Sequence, residues 1–311
     1  MAAGDGTALA GCGPELSGRR WVRRPARPRY ADRVTAPELP LSASGRTAID
    51  VARACAEEGG ALALARFRGA HTIESKGRGN IVTETDVEAE LRIKAILAAE
   101  YPDHKILSEE TAADTDPSTG WTWVIDPIDG TKNYSQGIPF WCTNVALCLD
   151  GAPVAGVTYD ALHGERFWAV AGGGAFMNEA PVAASTRADV ASAVIGMDLG
   201  YDDALGSAQI ALMRRIFPRV QTIRVLGSAA LGVAYAAAGR LDLFTHTNVY
   251  PWDIAAGILL VREAGGAASD SSGAPLRIGS RAFAAGGRRV HDDFRARYSS
   301  VQGGVPDVPS G

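Results

Sequence analysis

Cysteine is scarce in this chain, with four among 311 residues: Cys12, Cys55, Cys142 and Cys148. None forms a Cys-x-x-Cys pair and none stands at zinc-ligand spacing from histidine, which excludes a zinc finger or ribbon. Cys55, Cys142 and Cys148 read as small core residues in a reducing, cytoplasmic setting. The chain also lacks an apolar run of about 18 residues, the length needed to cross a bilayer. No strong excess of one charge is present: the net charge of -4 gives no reason to expect nucleic acid or an anionic membrane as the main partner. No internal repeat appears, and no apolar segment follows Arg19-Arg20 to make an export signal. What remains is an ordinary globular composition, 46% hydrophobic and 21% charged, in a chain long enough for one large domain or two packed halves.

Residues 1–43 are rich in Arg, Pro and Gly, with a basic run from Arg19 to Arg29. Such a segment buries too little apolar surface to offset chain entropy and is expected to be a disordered tail; contact with an acidic partner or nucleic acid is its alternative role. Residues 300–311 are expected to be loose as well. Between the tails, 44–185 read as an α+β half and 186–299 as an α/β half. In the first half, Ser44 or Thr47 caps a helix to about Phe67, Lys76 to Asn80 is a turn, and a second helix runs from about Asp86 to Glu100 before Pro102. Ile106-Leu107 and Trp121 to Asp126 are strand-like, and Asp150-Gly151 joins two strands in a hairpin, followed by strands at 165–170 and 175–178. The second half alternates: strands at 193–197, 222–225 and 241–244, helices at 203–217, 228–238 and 252–263. The fold expected is α/β, a layered αβαβα sandwich.

Acidic residues carry the chemistry. Asp126-Pro127-Ile128-Asp129-Gly130-Thr131 follows a β-prone run. Pro127 is expected to stop the ladder and Gly130 to permit a tight bend. Two carboxylates on such a turn, with the Ile128 carbonyl, can share a hard cation, and Mg²⁺ prefers an all-oxygen set. The same fragment alone also fits a solvated Asx turn. An EF-hand needs further alternating acids that do not follow, and a covalent aspartyl-phosphate enzyme carries Asp-x-Asp, with one intervening residue rather than two. Three more acidic positions stand apart in sequence: Asp86 and Asp253 at helix starts, and Glu109-Glu110 after Ile106-Leu107. Taken singly, each fits a helix-capping acid or a solvated pair.

Together, these stretches resemble the inositol monophosphatase family from about residue 45 to 297. The motifs are Asn80-Ile-Val-Thr-Glu-Thr-Asp86, Ser108-Glu-Glu110, Trp123-Val-Ile-Asp-Pro-Ile-Asp-Gly-Thr-Lys-Asn-Tyr134, Gly227-Ser-Ala-Ala230, Trp252-Asp-Ile-Ala-Ala-Gly257 and Glu263-Ala-Gly-Gly266. The resemblance implies a Mg²⁺-dependent, lithium-sensitive phosphatase with two or three ions per site, often a homodimer. Glu109, Asp126 and the Ile128 carbonyl are then similar to ligands of a first ion, and Asp126, Asp129 and Asp253 to ligands of a second. Thr131 and Asp86 resemble the pair that orients and deprotonates the attacking water. Lys76 resembles a lysine near the phosphate, on a loop one residue shorter than the family pattern. The N–H groups of Gly130 and Thr131 are expected at a phosphate oxygen.

For the polyol, the resemblance points to Asp129 and to the backbone of Gly227, Ser228 and Ala229. His246 stands where animal members carry a glutamate, seven residues before Asp253, and Tyr201 stands where a serine is common. A histidine donates and accepts differently from a carboxylate, so the hydroxyl pattern recognised is expected to differ; a rim histidine without substrate contact is the alternative. Inositol 1-phosphate is the substrate implied first. Histidinol phosphate, fructose 1,6-bisphosphate or a nucleotide 3′-phosphate are alternatives within the family. A catalytically silent scaffold conflicts with the full set of acids.

Overall fold

A computed structural model describes residues 37–77, 79–111 and 115–302, without side chains for 299–302. The Arg-rich run and the chain beyond 302 lie outside the described residues.

Capping chemistry starts the first two helices. Thr47 accepts from the Asp50 N–H and opens α1 (Ala48–Arg66). Thr83 and Asp86 form a reciprocal capping box at the start of α2 (Glu84–Glu100), so this helix begins two residues earlier than expected. The segment before it is a hairpin, β1 (Ile73–Gly77) with β2 (Asn80–Thr83), where the sequence reads only as a turn. A seven-stranded sheet follows. Its strands are β3 (Lys105–Ser108), β4 (Trp121–Asp129), β5 (Cys142–Leu149), β6 (Ala152–Asp160), β7 (Glu165–Val170), β8 (Gly174–Met177) and β9 (Ala180–Pro181), paired in sequence order. β3 and β4 are parallel and the other pairs antiparallel. Asp150 and Gly151 both take positive φ at the β5–β6 turn, the primed geometry that an Asp-Gly hairpin favours. A one-turn helix, α3 (Thr131–Ser135), leaves the end of β4.

The second half contains β10 (Val194–Met197), α4 (Asp203–Ile216), β11 (Thr222–Val225), α5 (Ala229–Ala237), β12 (Leu243–His246), α6 (Pro251–Glu263), β13 (Ala267–Asp270), β14 (Phe283–Gly286) and α7 (Arg288–Gln302). Its sheet runs β11-β10-β12-β14-β13. It is mixed: β10 is parallel to β11 and β12, whereas β14 is antiparallel to β12 and β13. β12 starts two residues later than expected: its register with β10 begins at Leu243, and the Asp242 N–H just before it bonds the Val194 carbonyl at 2.9 Å. That shift makes His246 the last residue of the strand.

The layers follow from which faces are apolar. Val51, Ala52, Cys55 and Ala56 of α1 and Ile93 and Leu97 of α2 pack on Trp123, Ile125, Val145 and Val157 of the large sheet. On its other face, α5 and α6 are apolar nearly all round and fill the space to the small sheet, against Ala146, Phe167, Phe244 and Phe283. Leu212, Met213 and Ile216 of α4 and Val290 and Phe294 of α7 cover the far face of the small sheet. The result is an α–β–α–β–α sandwich. Cys55, Cys142 and Cys148 are unpaired and buried.

Candidate active site

Element ends deliver the candidate residues to one place. β4 carries Asp126 and Asp129, its parallel neighbour β3 hands over to Glu109, β10 ends before Asp198, β12 ends on His246, and α6 opens with Asp253. Ligand sites in α/β sheets commonly form at such strand ends. Here they surround a cavity of ≈ 290 Å³. Lys76, Glu109, Asp126, Ile128, Asp129, Gly130, Thr131, Tyr201, Gly227, Ala229, His246 and Asp253 all line it. Two candidates do not. Asp86 is fully buried and accepts the Thr131 hydroxyl at 3.1 Å. Ser228 is buried at the start of α5 and donates to Asp129. Asn80, Lys132 and Trp252 also line the cavity and lie within the motifs, which assign them no role, whereas Asp198, Asn248 and Tyr250 line it from outside every motif. The available signal is position: Asp198 and Asn248 each follow the end of a small-sheet strand.

β4 does not end on Asp126. It continues through Pro127 to Asp129, and its pairing with β5 is irregular between Asp126↔Asn144 and Asp129↔Cys142. Pro127 contributes no N–H, but its carbonyl accepts the Thr143 hydroxyl at 2.8 Å, so the strand is held across the break. In a regular strand, residues three apart face opposite sides. The irregularity lets Asp126 and Asp129 face the same cavity. Gly130 then turns the chain with φ 96°, and a Cβ there would meet the Gly227 carbonyl at 3.0 Å. Gly227, at φ 83°, is equally constrained, because its Cβ would lie 2.7 Å from the Asn133 amide. These two glycines let the α3 and α5 entries touch. The Asn133 amide ties them together by donating to the carbonyls of Phe140 and Leu226, each at 2.8 Å.

Each carboxylate is aimed by a local anchor. Asp86 Oδ2 accepts the Thr83 N–H at 2.9 Å, leaving Oδ1 for Thr131. Asp253 Oδ2 accepts the Tyr250 N–H at 2.8 Å. Asp129 Oδ2 takes the Ser228 hydroxyl and the Ala230 N–H, the latter at 2.9 Å. The Thr131 hydroxyl oxygen lies 3.1 Å from Asp86 and 3.0 Å from the Ile128 carbonyl. The Lys76 ammonium is paired with Glu110 and stands 4.0 Å from Glu109. His246 is buried and its Nδ1 accepts the Asn248 N–H at 3.0 Å. The ring proton of the neutral form therefore sits on Nε2, and burial pushes the pKa down, holding the ring neutral.

The cavity is strongly acidic. Asp126, Asp129 and Asp253 offer oxygens that all lie within 4.8 Å of one another. Burial and then mutual repulsion push the acids up: Asp129 to about 6, Asp86 to about 7, and Glu109, Asp126 and Asp253 well above the ordinary range. For Lys76, burial works downward, but the Glu110 bond and the nearby acids more than offset it and raise the pKa. Asp126 Oδ1 is buried without a hydrogen-bond partner. Clustered carboxylates with an orphaned buried oxygen, and no cysteine or histidine grouped with them among the described residues, fit hard divalent cations.

A sequence profile of the inositol monophosphatase family matches residues 46–302. The chain belongs to the inositol monophosphatase family. It is 36% identical over 253 residues to inositol monophosphatase 2 of Solanum lycopersicum, covering 79% of this chain and 96% of that protein. Among solved structures, the extragenic suppressor protein suhB of Bartonella henselae superposes with a TM-score of 0.75 at 31% identity, over 81% of this chain and 97% of that one. Inositol monophosphatase-II of Staphylococcus aureus has been solved with inositol monophosphate bound, at TM-score 0.69, 27% identity and coverage of 81% and 93%. It has also been solved with 2′AMP bound, at TM-score 0.68, 27% identity and coverage of 80% and 92%. This family member is thus an inositol-phosphate phosphatase by class, a hydrolase of small phosphomonoesters. No helix among its described residues is long and apolar enough to cross a membrane.

Proposed function

We propose that the chain hydrolyses inositol 1-phosphate, or a closely similar polyol or sugar phosphate, by direct attack of water with Mg²⁺ as cofactor. The observation that carries this reading is the convergence of Asp126, Asp129 and Asp253 within 4.8 Å beside an orphaned Asp126 oxygen. Glu109, Asp126 and the Ile128 carbonyl would hold one ion, Asp126, Asp129 and Asp253 a second, and a weaker third would lie near Glu109. When bound, such ions offset the repulsion between nucleophile and phosphate dianion, make water a better nucleophile and stabilise the leaving alkoxide.

The chain's own residues supply positioning and proton transfer. The Thr131 hydroxyl has one proton and two acceptors, Asp86 Oδ1 and the Ile128 carbonyl. Donating to Asp86, it leaves its own oxygen able to accept from a water at the cavity wall. Asp86, buried and bonded to the Thr131 hydroxyl at 3.1 Å, is placed to take the proton that water loses. The backbone N–H groups of Gly130 and Thr131 are offered to a phosphate oxygen. Lys76, engaged by Glu110, offsets the charge of the Glu109-Glu110 turn. Neutral His246, with Nε2–H as donor, is suited to a substrate hydroxyl oxygen as acceptor, beside the backbone of Gly227 and Ala229. The inositol monophosphate bound to the Staphylococcus aureus protein supports a cyclitol leaving group. The 2′AMP bound to the same protein supports a nucleotide phosphate as the second reading. A homodimer and a cytoplasmic setting extend the family resemblance, and light scattering of the purified chain checks the first.

Phosphate release from a panel containing inositol 1-phosphate, histidinol phosphate, fructose 1,6-bisphosphate, 2′-AMP and 3′-AMP, with Mg²⁺ or with chelator, tests the proposal. Fastest release from inositol 1-phosphate, lost on chelation, is expected. Undiminished turnover in chelator would overturn the cation assignment, and preference for a nucleotide would replace the cyclitol.

A further inference from the structure

Glu109 has an unusual problem for a residue that must stay in the site. It lines the same cavity as Asp126, Asp129 and Asp253, whose oxygens already crowd within 4.8 Å of one another, so its neighbours repel it. Its own backbone anchor is slack: the Glu109 N–H reaches the Ile125 carbonyl at 3.3 Å, beyond the usual range. Something else must hold this turn against the repulsion.

That support comes from α2. Glu90 lies four residues after Asp86, one turn along the same helix face. It is 1% exposed and does not line the cavity, so it is not itself placed to meet a cation there. Its Oε2 accepts the Glu110 N–H at 2.8 Å, and its Oε1 accepts the Thr111 hydroxyl. Thr111 in turn accepts from the Lys94 ammonium at 2.6 Å, which stands 3.8 Å from Glu90. A buried carboxylate is costly unless its oxygens are bonded, and here both grip the turn that carries Glu109.

We infer that Glu90 is a positioning residue: by clamping Glu110 and Thr111 it fixes the Glu109 carboxylate for the divalent cation. The inference rests on the cation reading above. α2 then joins two arms of the site, Asp86 on Thr131 and, one turn later, Glu90 on the Glu109 turn. Partners that orient a metal ligand from outside the coordination sphere commonly change affinity by about 10–100-fold when removed.

The test uses the full chain stripped of metal and titrated with Mg²⁺, read by melting temperature and separately by phosphate release from inositol 1-phosphate. In Glu90→Ala the Mg²⁺ half-saturation should rise by about tenfold or more in both readouts. Its kcat at saturating Mg²⁺ should fall less than about threefold, because the reacting groups are untouched. Glu90→Gln should return to within about threefold of the wild type, since the amide oxygen can take the Glu110 N–H and the amide N–H can donate to Thr111. Unchanged half-saturation in Glu90→Ala, or Glu90→Gln as defective as Glu90→Ala, would overturn the inference. If Glu90→Ala does not fold, Thr111→Val removes one of the two grips and should still raise the half-saturation; no rise overturns the inference. A wild type whose melting temperature ignores Mg²⁺ overturns the cation reading and this inference together, whereas a responsive wild type with an unaltered variant overturns the inference alone.

Discussion

Replacing Asp126 by asparagine sets two effects against each other, and the structure gives the sign of both. Without cations, the oxygens of Asp126, Asp129 and Asp253 lie within 4.8 Å of one another. At an effective dielectric constant of about 20, two full charges at that distance repel by about 3.5 kcal/mol. Burial and mutual repulsion raise the pKa of all three acids, which lessens the charge the cluster carries and makes that figure an upper bound. Asparagine, of the same shape, should therefore relieve about 1–3 kcal/mol and raise the melting temperature of the metal-free chain by roughly 2–6 °C. With Mg²⁺ at about 100 times its dissociation constant, the wild type gains about 2.7 kcal/mol per site, and the variant far less. The order of stability should thus narrow or reverse as Mg²⁺ is added, while turnover falls by at least about a hundredfold. Scanning calorimetry in EDTA and in Mg²⁺, with phosphate release alongside, reads all three quantities. An Asp126→Asn chain less stable than the wild type in EDTA, or one with an undiminished Mg²⁺ shift, would refute the reasoning.

Two further outcomes follow from the same charges. Asp129 and Asp86 titrate in the metal-free fold at about 6 and about 7, against 3.8 for a free carboxyl. Between these values the fold binds more protons than the unfolded chain, so this contribution is complete below about pH 4 and is lost as pH rises through about 6 to 7. The EDTA melting temperature should be higher at pH 5.5 than at pH 7.5, with Mg²⁺ abolishing or inverting that slope; a rising EDTA slope would show that burial does not hold these acids' pKa values up. Ser228→Ala removes both the donor to Asp129 and the cap that accepts the Leu231 N–H at 3.4 Å. It should lower stability by about 2–4 kcal/mol yet keep measurable turnover, because Ser228 does not line the cavity; equal stability in urea titration would discount the bond.

Much of the scaffold was legible because its signals are local. Thr47 and Ser228 mark helix starts, and Asp150-Gly151 marks a hairpin through a backbone geometry that these residues favour. β11 at Thr222–Val225 lies where its β-branched run places it. What escaped notice has no such local cause. β13 is Ala-Ala-Ser-Asp and β14 is Phe-Ala-Ala-Gly, neither β-prone, and both are strands because β12 and each other supply the pairing. β1 is exposed along its whole length and exists through pairing with β2. α7 did carry a usable pattern in Val290, Phe294 and Tyr298, four residues apart, diluted by charge in between. The residues missed around the cavity follow the same division: Asp198 and Asn248 matter through where strands end in space.

The acids show why single motifs were ambiguous and their combination was not. Asp86 and Asp253 each had a bland explanation as helix-capping acids, and the structure shows that both do cap: their Oδ2 atoms accept the N–H groups of Thr83 and Tyr250. Capping and cavity roles are not alternatives, because a carboxylate has two oxygens. The bond that satisfies the helix end also fixes the rotamer, which directs the rest of the group toward the site. Asp129 repeats the device across the chain, with Ser228 and Ala230 at the start of α5 holding one oxygen. Helix N-termini, which favour negative charge, thereby hold carboxylates that would otherwise repel one another apart. A lone capping acid in a sequence therefore says little, but several of them at the starts of helices that converge on one strand break identify a place where anions have been gathered against their mutual repulsion.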